Sequence, residues 1–186
     1  MLCKVERKMV ELKARVDALD TIRRKVIDLR AHHIGTFKQV DVYFEVPKGR
    51  LKLREVEGKN TAELVYYERE NVAKPKRSNV FILEVQNPAV FKSLLEKVLK
   101  TRVTVEKLRE IYRYQGTKVG AKYPYIQVHL DNVKKLGTFV EFEMNTSEQT
   151  EKRDKQILEN LMRKMGINGN QLVKYSYSDL VQCATS

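Results

Sequence analysis

Residues 8–16, Lys8-Met9-Val10-Glu11-Leu12-Lys13-Ala14-Arg15-Val16 (KMVELKARV), alternate apolar and charged side chains. A period of two is the pattern of a strand with one buried face. On an ordinary strand the charged face meets water. Here Glu11, Lys13 and Arg15 mix signs on that face, and later stretches repeat the arrangement. The direction in which these charges point decides the fold.

Working outward, QVDVYFEV (39–46) alternates Val40, Val42, Phe44 and Val46 with Gln39, Asp41, Tyr43 and Glu45. The turn Pro47-Lys48-Gly49 leads into RLKLREV (50–56), which sets Arg50, Lys52 and Arg54 on one side of a second strand, so the pair reads as a hairpin. AELVYYERE (62–70), SNVFILEV (78–85), TRVTVEKLREIYRYQ (101–115), YIQVHLDNV (125–133) and GTFVEFEM (137–144) read as further strands.

Three segments have helical spacing instead. Leu19, Ile22, Val26 and Leu29 fall three or four apart after Asp17, a cap residue, with Gly35 as the expected stop. Asn87-Pro88 opens a helix carrying Phe91, Leu94, Leu95, Val98 and Leu99. Thr146-Ser147-Glu148-Gln149 has a capping-box pattern before Ile157, Leu158, Leu161, Met162 and Met165, with Gly166 beyond. The tail NQLVKYSYSDLV (170–181) is expected to hold a short terminal element.

The order is therefore strand, helix, four strands, helix, three strands, helix. A length of 186 residues favours one domain spanning 1–186. Hydrophobic content of 42% with 32% charged residues is a globular mixture, and no run of about 18 apolar residues predicts a transmembrane helix. The N-terminal stretch lacks the apolar core of a signal peptide, so a cytoplasmic location is expected. Cys3 and Cys183 lie far apart, form no CxxC pair and read as free thiols. Lys and Arg outnumber Asp and Glu by 36 to 24, a net charge of +12 that attracts a polyanion: nucleic acid, a phosphorylated small molecule or an anionic surface.

Eight strands joined mainly by short turns point to an α+β fold built on a closed eight-stranded antiparallel β-barrel. If the charged faces looked outward, the amphipathic helices would have no extended apolar surface to cover. With the helices packed outside, the strands' apolar faces lie beneath them and the charges line a tunnel. Buried charges survive only when paired, hydrated or matched by a ligand, and both signs are supplied here. Glu141 and Glu143 lie two apart on one strand and share a face at roughly 6.5–7 Å. Such carboxylates can bracket Mg²⁺ or Mn²⁺, with substrate phosphate completing the shell.

Together VELKARV, DVYFEVPKGRLKLRE, LVYYERE, KPKRSNV, EKLREIY, VHLDNVKKLGTFVEFE and YSYSDLV resemble, in that order, successive blocks of the CYTH family of triphosphate tunnel metalloenzymes. The similarity is to its class IV adenylyl cyclase (CyaB-like) branch and runs to about Leu180. The resemblance implies a metal-dependent enzyme whose tunnel binds ATP, another organic triphosphate or tripolyphosphate, either cyclising ATP to cyclic AMP and pyrophosphate or hydrolysing a triphosphate. It implies Glu11, Asp131, Glu141 and Glu143 on the metal side. Lys13, Lys52, Arg54, Arg69, Lys107 and Arg109 would bind phosphate, joined by Lys76 and Lys174, with Glu11 and Lys13 in catalytic positions. Two departures stand out. Met9 occupies the place of the first Glu in the family's ExExK signature, and the loop from Gly116 to Tyr125 is longer than usual.

The histidines carry less signal. His32-His33 falls at an expected helix end, where a cation suits the dipole. His129 alternates with Gln127 and Asp131 and so can face the tunnel. P-loop, Rossmann, HExxH and GxSxG motifs are absent from the sequence. The competing class is a binding module that holds polyphosphate or RNA without turnover.

Overall fold

The computed structural model describes residues 4–116 and 125–185. The loop 117–124 and Cys3, both considered above, lie outside the described residues. Strands β1 (Lys4–Arg15), β2 (His32–Phe44), β3 (Arg50–Val56), β4 (Thr61–Arg69), β5 (Lys76–Gln86), β6 (Thr101–Gln115), β7 (Tyr125–Val133) and β8 (Gly137–Asn145) form one closed barrel. Its order is β1-β5-β4-β3-β2-β6-β7-β8, and every neighbouring pair is antiparallel. Helices α1 (Leu19–Asp28), α2 (Pro88–Val98), α3 (Glu151–Lys164) and α4 (Tyr177–Thr185) complete the fold. The antiparallel α+β barrel expected from the alternation is what the chain forms. Among the described residues no helix is long and apolar enough to cross a membrane.

The apolar halves of the strands do face the helices. Val10, Leu12, Val128, Leu130, Val140 and Phe142 on β1, β7 and β8 are buried with Ile22 and Val26 of α1 and Leu158, Leu161 and Met162 of α3. Leu95 of α2 covers Val42, Phe44, Leu53, Ala62 and Val85 of β2 to β5. A further cluster lies within one end of the barrel, where Tyr177 and Val181 of α4 meet Tyr43, Val105, Val133 and Phe139. The terminal element is thus a helix that closes one end as a floor.

Several local details differ from the sequence reading. Gly35 does not end α1 but sits inside β2 with extended backbone at φ +158. The helix stops instead at Arg30, whose φ of +56 lets its N–H reach Ile27 O and the Ala31 N–H reach Val26 O. This pair of hydrogen bonds is the usual satisfaction of terminal carbonyls, made here with Arg in the left-handed position that Gly commonly takes. His32 and His33 consequently belong to β2 rather than to a helix end, and the His33 ring lies 4.9 Å from that of Tyr112. Ala18, not Asp17, precedes α1, and no side chain caps it. At α3 the Thr146 and Thr150 hydroxyls both donate to Asp154 inside the helix, and the helix begins at Glu151.

The hairpin turn read at Pro47-Lys48-Gly49 is present. Gly49 has φ +71, the left-handed backbone that favours glycine, and the ring end of Tyr66 lies close against it. Gly166 likewise follows α3 at φ +66. The helix-covered outer face makes a stability prediction: Leu158→Ala, at a fully buried position, lowers stability by about 2–5 kcal/mol, whereas the exposed Leu94→Ala changes it by less than about 0.5 kcal/mol, as read from urea denaturation.

Candidate active site

Alternation sends every second strand residue into the lumen, which holds a cavity of roughly 330 Å³. Its lining includes Glu11 and Lys13 of β1, Lys52 and Arg54 of β3, Arg69 of β4, Lys107 and Arg109 of β6, and Glu141 and Glu143 of β8. Register brings these into groups. Lys13 lies opposite Glu141 and Glu11 opposite Glu143 across β1 and β8, while Asp41 lies opposite Arg54 across β2 and β3.

The first group is centred on Asp41, a residue the sequence reading passed over. Its carboxylate has no exposed surface and accepts from Arg54 Nε at 2.7 Å and Nη2 at 3.1 Å, Lys52 Nζ at 3.0 Å and Lys107 Nζ at 2.6 Å. Burial alone would raise this carboxyl, but the Arg54, Lys107 and Lys52 charges hold it well below the ordinary carboxylate range. Those lysines move the other way. Burial pushes Lys107 down to about 7 and Lys52 down to about 8, against the pull of Asp41.

The second group joins Arg109 to Asp131 through two bonds, Nε to Oδ1 at 2.7 Å and Nη2 to Oδ2 at 2.6 Å, and to Glu141 Oε2 at 2.5 Å. Lys13 Nζ is 2.8 Å from Glu141 Oε1 and 3.5 Å from the centre of the Tyr177 ring. Tyr177 Oη donates to Asp131 Oδ2 at 2.7 Å, which ties the floor helix to the charged wall. Burial would raise the Glu141 carboxyl, yet Lys13 and Arg109 keep it well below its usual range.

The third group pairs Arg69 Nη1 with Glu11 Oε1 at 2.9 Å, an ion pair whose N–H is not aimed along the contact. Burial raises the Glu11 carboxyl, Arg69 only partly offsets this, and Glu143 and Glu141 push it further up. Beside them His129 places Nδ1 3.8 Å from Glu141 Oε2 and 3.7 Å from Glu143 Oε1. One donor atom from each of His129, Glu141 and Glu143 lies within 4.8 Å of the others, a set able to hold a metal ion. Crowded carboxylates and a buried imidazole nitrogen without a hydrogen-bond partner fit a divalent cation.

Most residues singled out in the sequence thus meet in one lumen, but three stand apart. Asp131 is fully buried with both carboxylate oxygens taken by Arg109 and Tyr177, outside the cavity lining. Lys76, also buried and outside that lining, donates to Val72 O and Val173 O. Lys174 is exposed, its Nζ 4.5 Å from the Tyr175 ring. Met9 lines the cavity one inward step from Glu11. The available signal for Asp41 was its place in QVDVYFEV, on the same face as Gln39 and Tyr43. Tyr177 gave no comparable signal, because α4 enters the barrel end from outside the strand pattern.

A closed antiparallel barrel with charges of both signs inside and helices outside is the form of a tunnel fold. The chain belongs to the CYTH domain family, whose model matches residues 7–177. No curated protein matches the sequence. Among solved structures it is similar to the PH1012 protein of Pyrococcus horikoshii at 27% identity and a TM-score of 0.79, covering 92% of this chain and 98% of that one. It is also similar to a Vibrio parahaemolyticus protein named as a candidate adenylate cyclase (19% identity, TM-score 0.73, 95% and 98% covered). A third is a Hippeastrum protein, named as a candidate adenylyl cyclase and described as having a dominant triphosphatase activity (16%, 0.64, 95% and 95%). At these last two identities the likeness shows the fold.

The ion-pair groups make two predictions. Asp41→Asn leaves buried cations without their counter-charge and lowers stability by about 3–5 kcal/mol in urea denaturation. Lys107 and Lys52 have folded-state values below the ordinary lysine value, so from about pH 7 to about 10 the unfolded chain holds more protons and stability rises with pH. The denaturation midpoint at about pH 9 therefore exceeds that at about pH 6.5, and Lys107→Met flattens the difference.

Proposed function

We propose that this CYTH protein is a divalent-metal-dependent enzyme that hydrolyses a triphosphate-bearing substrate held in the barrel lumen. The observation that carries the direction of attack is the floor. Tyr177 bonds Asp131 and its ring faces Lys13, so the closed end lies against the Lys13, Glu141 and Arg109 group. A polyphosphate entering from the other end, where the exposed Arg7 and Lys59 line the cavity, brings its terminal phosphate deepest and nearest these groups.

The chain's own groups then have distinct duties. Lys13, Lys52, Arg54, Arg69, Lys107 and Arg109 hold phosphate oxygens, the Arg side chains through two-pronged contacts and the Lys side chains as compact charges. Glu11, its carboxyl raised by burial and crowded by Glu143, accepts the proton of the attacking water at a carboxylate oxygen. Lys13 opposes the charge that builds on the phosphate in the transition state. Glu11, Glu141, Glu143 and His129 are the residues that would hold Mg²⁺ or Mn²⁺. A divalent ion held there would neutralise phosphate charge and polarise a phosphoryl oxygen.

Cyclisation of ATP is the second reading, favoured by Phe37, Ile82 and Ile111, which give the cavity apolar surface suited to a base. In that reaction the ribose 3′ hydroxyl attacks the α-phosphorus and pyrophosphate leaves. Phosphate register within the barrel separates the two.

One panel tests both: tripolyphosphate, ATP and another organic triphosphate with Mg²⁺ or Mn²⁺, scoring orthophosphate, pyrophosphate and cyclic AMP separately. Orthophosphate is the expected product, lost in Glu143→Ala. Cyclic AMP with pyrophosphate from ATP selects the second reading. Tight tripolyphosphate binding with no product leaves a binding module. Metal-independent RNA binding that weakens steeply with salt would mark the surface charge instead.

A further inference from the structure

His129 has a geometry that neither phosphate binding nor packing explains. It is 3% exposed and lies on β7 between Gln127 and Asp131, opposite Glu141 in register, while Gln127 lies opposite Glu143. Its Nε2 is 3.1 Å from Gln127 Oε1. With Gln127 presenting Oε1, which can only accept, the matching tautomer donates through Nε2 and leaves a lone pair on Nδ1 of the neutral ring. That lone pair faces Glu141 Oε2 at 3.8 Å and Glu143 Oε1 at 3.7 Å, and Nδ1 has no hydrogen-bond partner.

Arg109 and Lys13 already balance Glu141, so the repulsion left to relieve is chiefly that between the Nδ1 lone pair and Glu143, which a positive charge between them would remove. A proton on Nδ1 would serve at hydrogen-bond distance, but these separations are well beyond the 2.7–3.2 Å or so of such a bond. They fall between the roughly 3.0 Å of neighbouring donors and the roughly 4.2 Å of opposite donors around an octahedral ion whose ligands lie roughly 2.1 Å from it, so small side-chain shifts seat an ion among them. The Gln127 contact resembles the outer support usual for a metal-bound histidine, which fixes the tautomer and the ring plane.

We infer that His129 donates through Nδ1 to the ion held by Glu141 and Glu143, and that this nitrogen biases the site towards a first-row transition ion such as Mn²⁺ over Mg²⁺. The inference deepens the metal-dependent reading above and rests on it. Mg²⁺ favours oxygen-only shells with several retained waters, whereas transition ions accept imidazole readily. Gln127 acts as a positioning residue, touching the imidazole and setting which nitrogen is free.

The test is direct spectroscopy of the protein with Mn²⁺ alone, followed by competition with Mg²⁺. Electron spin-echo modulation from a coordinated ¹⁴N is expected in the unsubstituted protein and absent in His129→Gln. In that variant the ratio of Mn²⁺ to Mg²⁺ affinity narrows by about tenfold or more, and Gln127→Leu weakens Mn²⁺ by about 10–100-fold. Bound Mn²⁺ without nitrogen modulation in the unsubstituted protein overturns the role of His129, whatever the variants do. An unchanged metal ratio in a folded His129→Gln protein does the same. If Mn²⁺ binding still disappears in Glu143→Gln, the metal-dependent function survives that failure; if Mn²⁺ does not bind at all, both fall together.

Discussion

Opposite charges enclosed in one barrel constrain everything else in this molecule. A lysine or arginine taken from water into a closed lumen costs several kcal/mol unless a counter-charge meets it with good geometry. Asp41 meets Lys52, Arg54 and Lys107, while Asp131 and Glu141 meet Arg109. Glu141 also meets Lys13, and Glu11 meets Arg69. Cations poised for an anionic ligand are therefore already held in place before any ligand arrives. Under the proposed function, a phosphate group entering the lumen would compete with Asp41 for donors that need little reorientation, the preorganisation that electrostatic catalysis requires.

The outer shell makes this interior possible. Burying β1, β7 and β8 beneath α1 and α3, and β2 to β5 beneath α2, removes the apolar halves of the strands from water, so the charged halves have only the lumen left. At one end the same logic inverts: Tyr43, Val105, Val133 and Phe139 point inward and are covered by α4. That apolar layer leaves the charged zone with a dry boundary on one side. Interactions next to such a boundary are screened less than those at an open rim.

Alternation in KMVELKARV and its counterparts was enough to read the strands, and the helix stripes were enough to turn the charges inward. Partnerships were harder to see. Asp41 lies on the same strand face as Gln39 and Tyr43, but only the pairing of β2 with both β3 and β6 shows that it faces Lys52, Arg54 and Lys107 at once. His129 becomes interesting only because register sets it against Glu141 with Gln127 behind it. Helix boundaries failed for a local reason: Arg30 adopts the left-handed conformation that the sequence reading assigned to Gly35, a choice made by the terminal hydrogen bonds rather than by intrinsic preference. Tyr177 lay in the YSYSDLV block, but its contact with Asp131 and Lys13 comes from a helix end set in a strand lumen, which no strand pattern shows.

The pairing of β1 carries a consequence for the order in which the molecule can be built. One edge of β1 joins β5 and the other joins β8, whereas β2 to β5 form by successive hairpin contacts. Among the described strands β1 comes first and its second partner, β8, comes last, so its second edge is satisfied only after the intervening strands have been made. Closure of so many distant pairings is slow, and until β8 arrives a strand bearing Glu11 and Lys13 presents an open edge. Charged residues along such an open edge disfavour pairing with a stray strand.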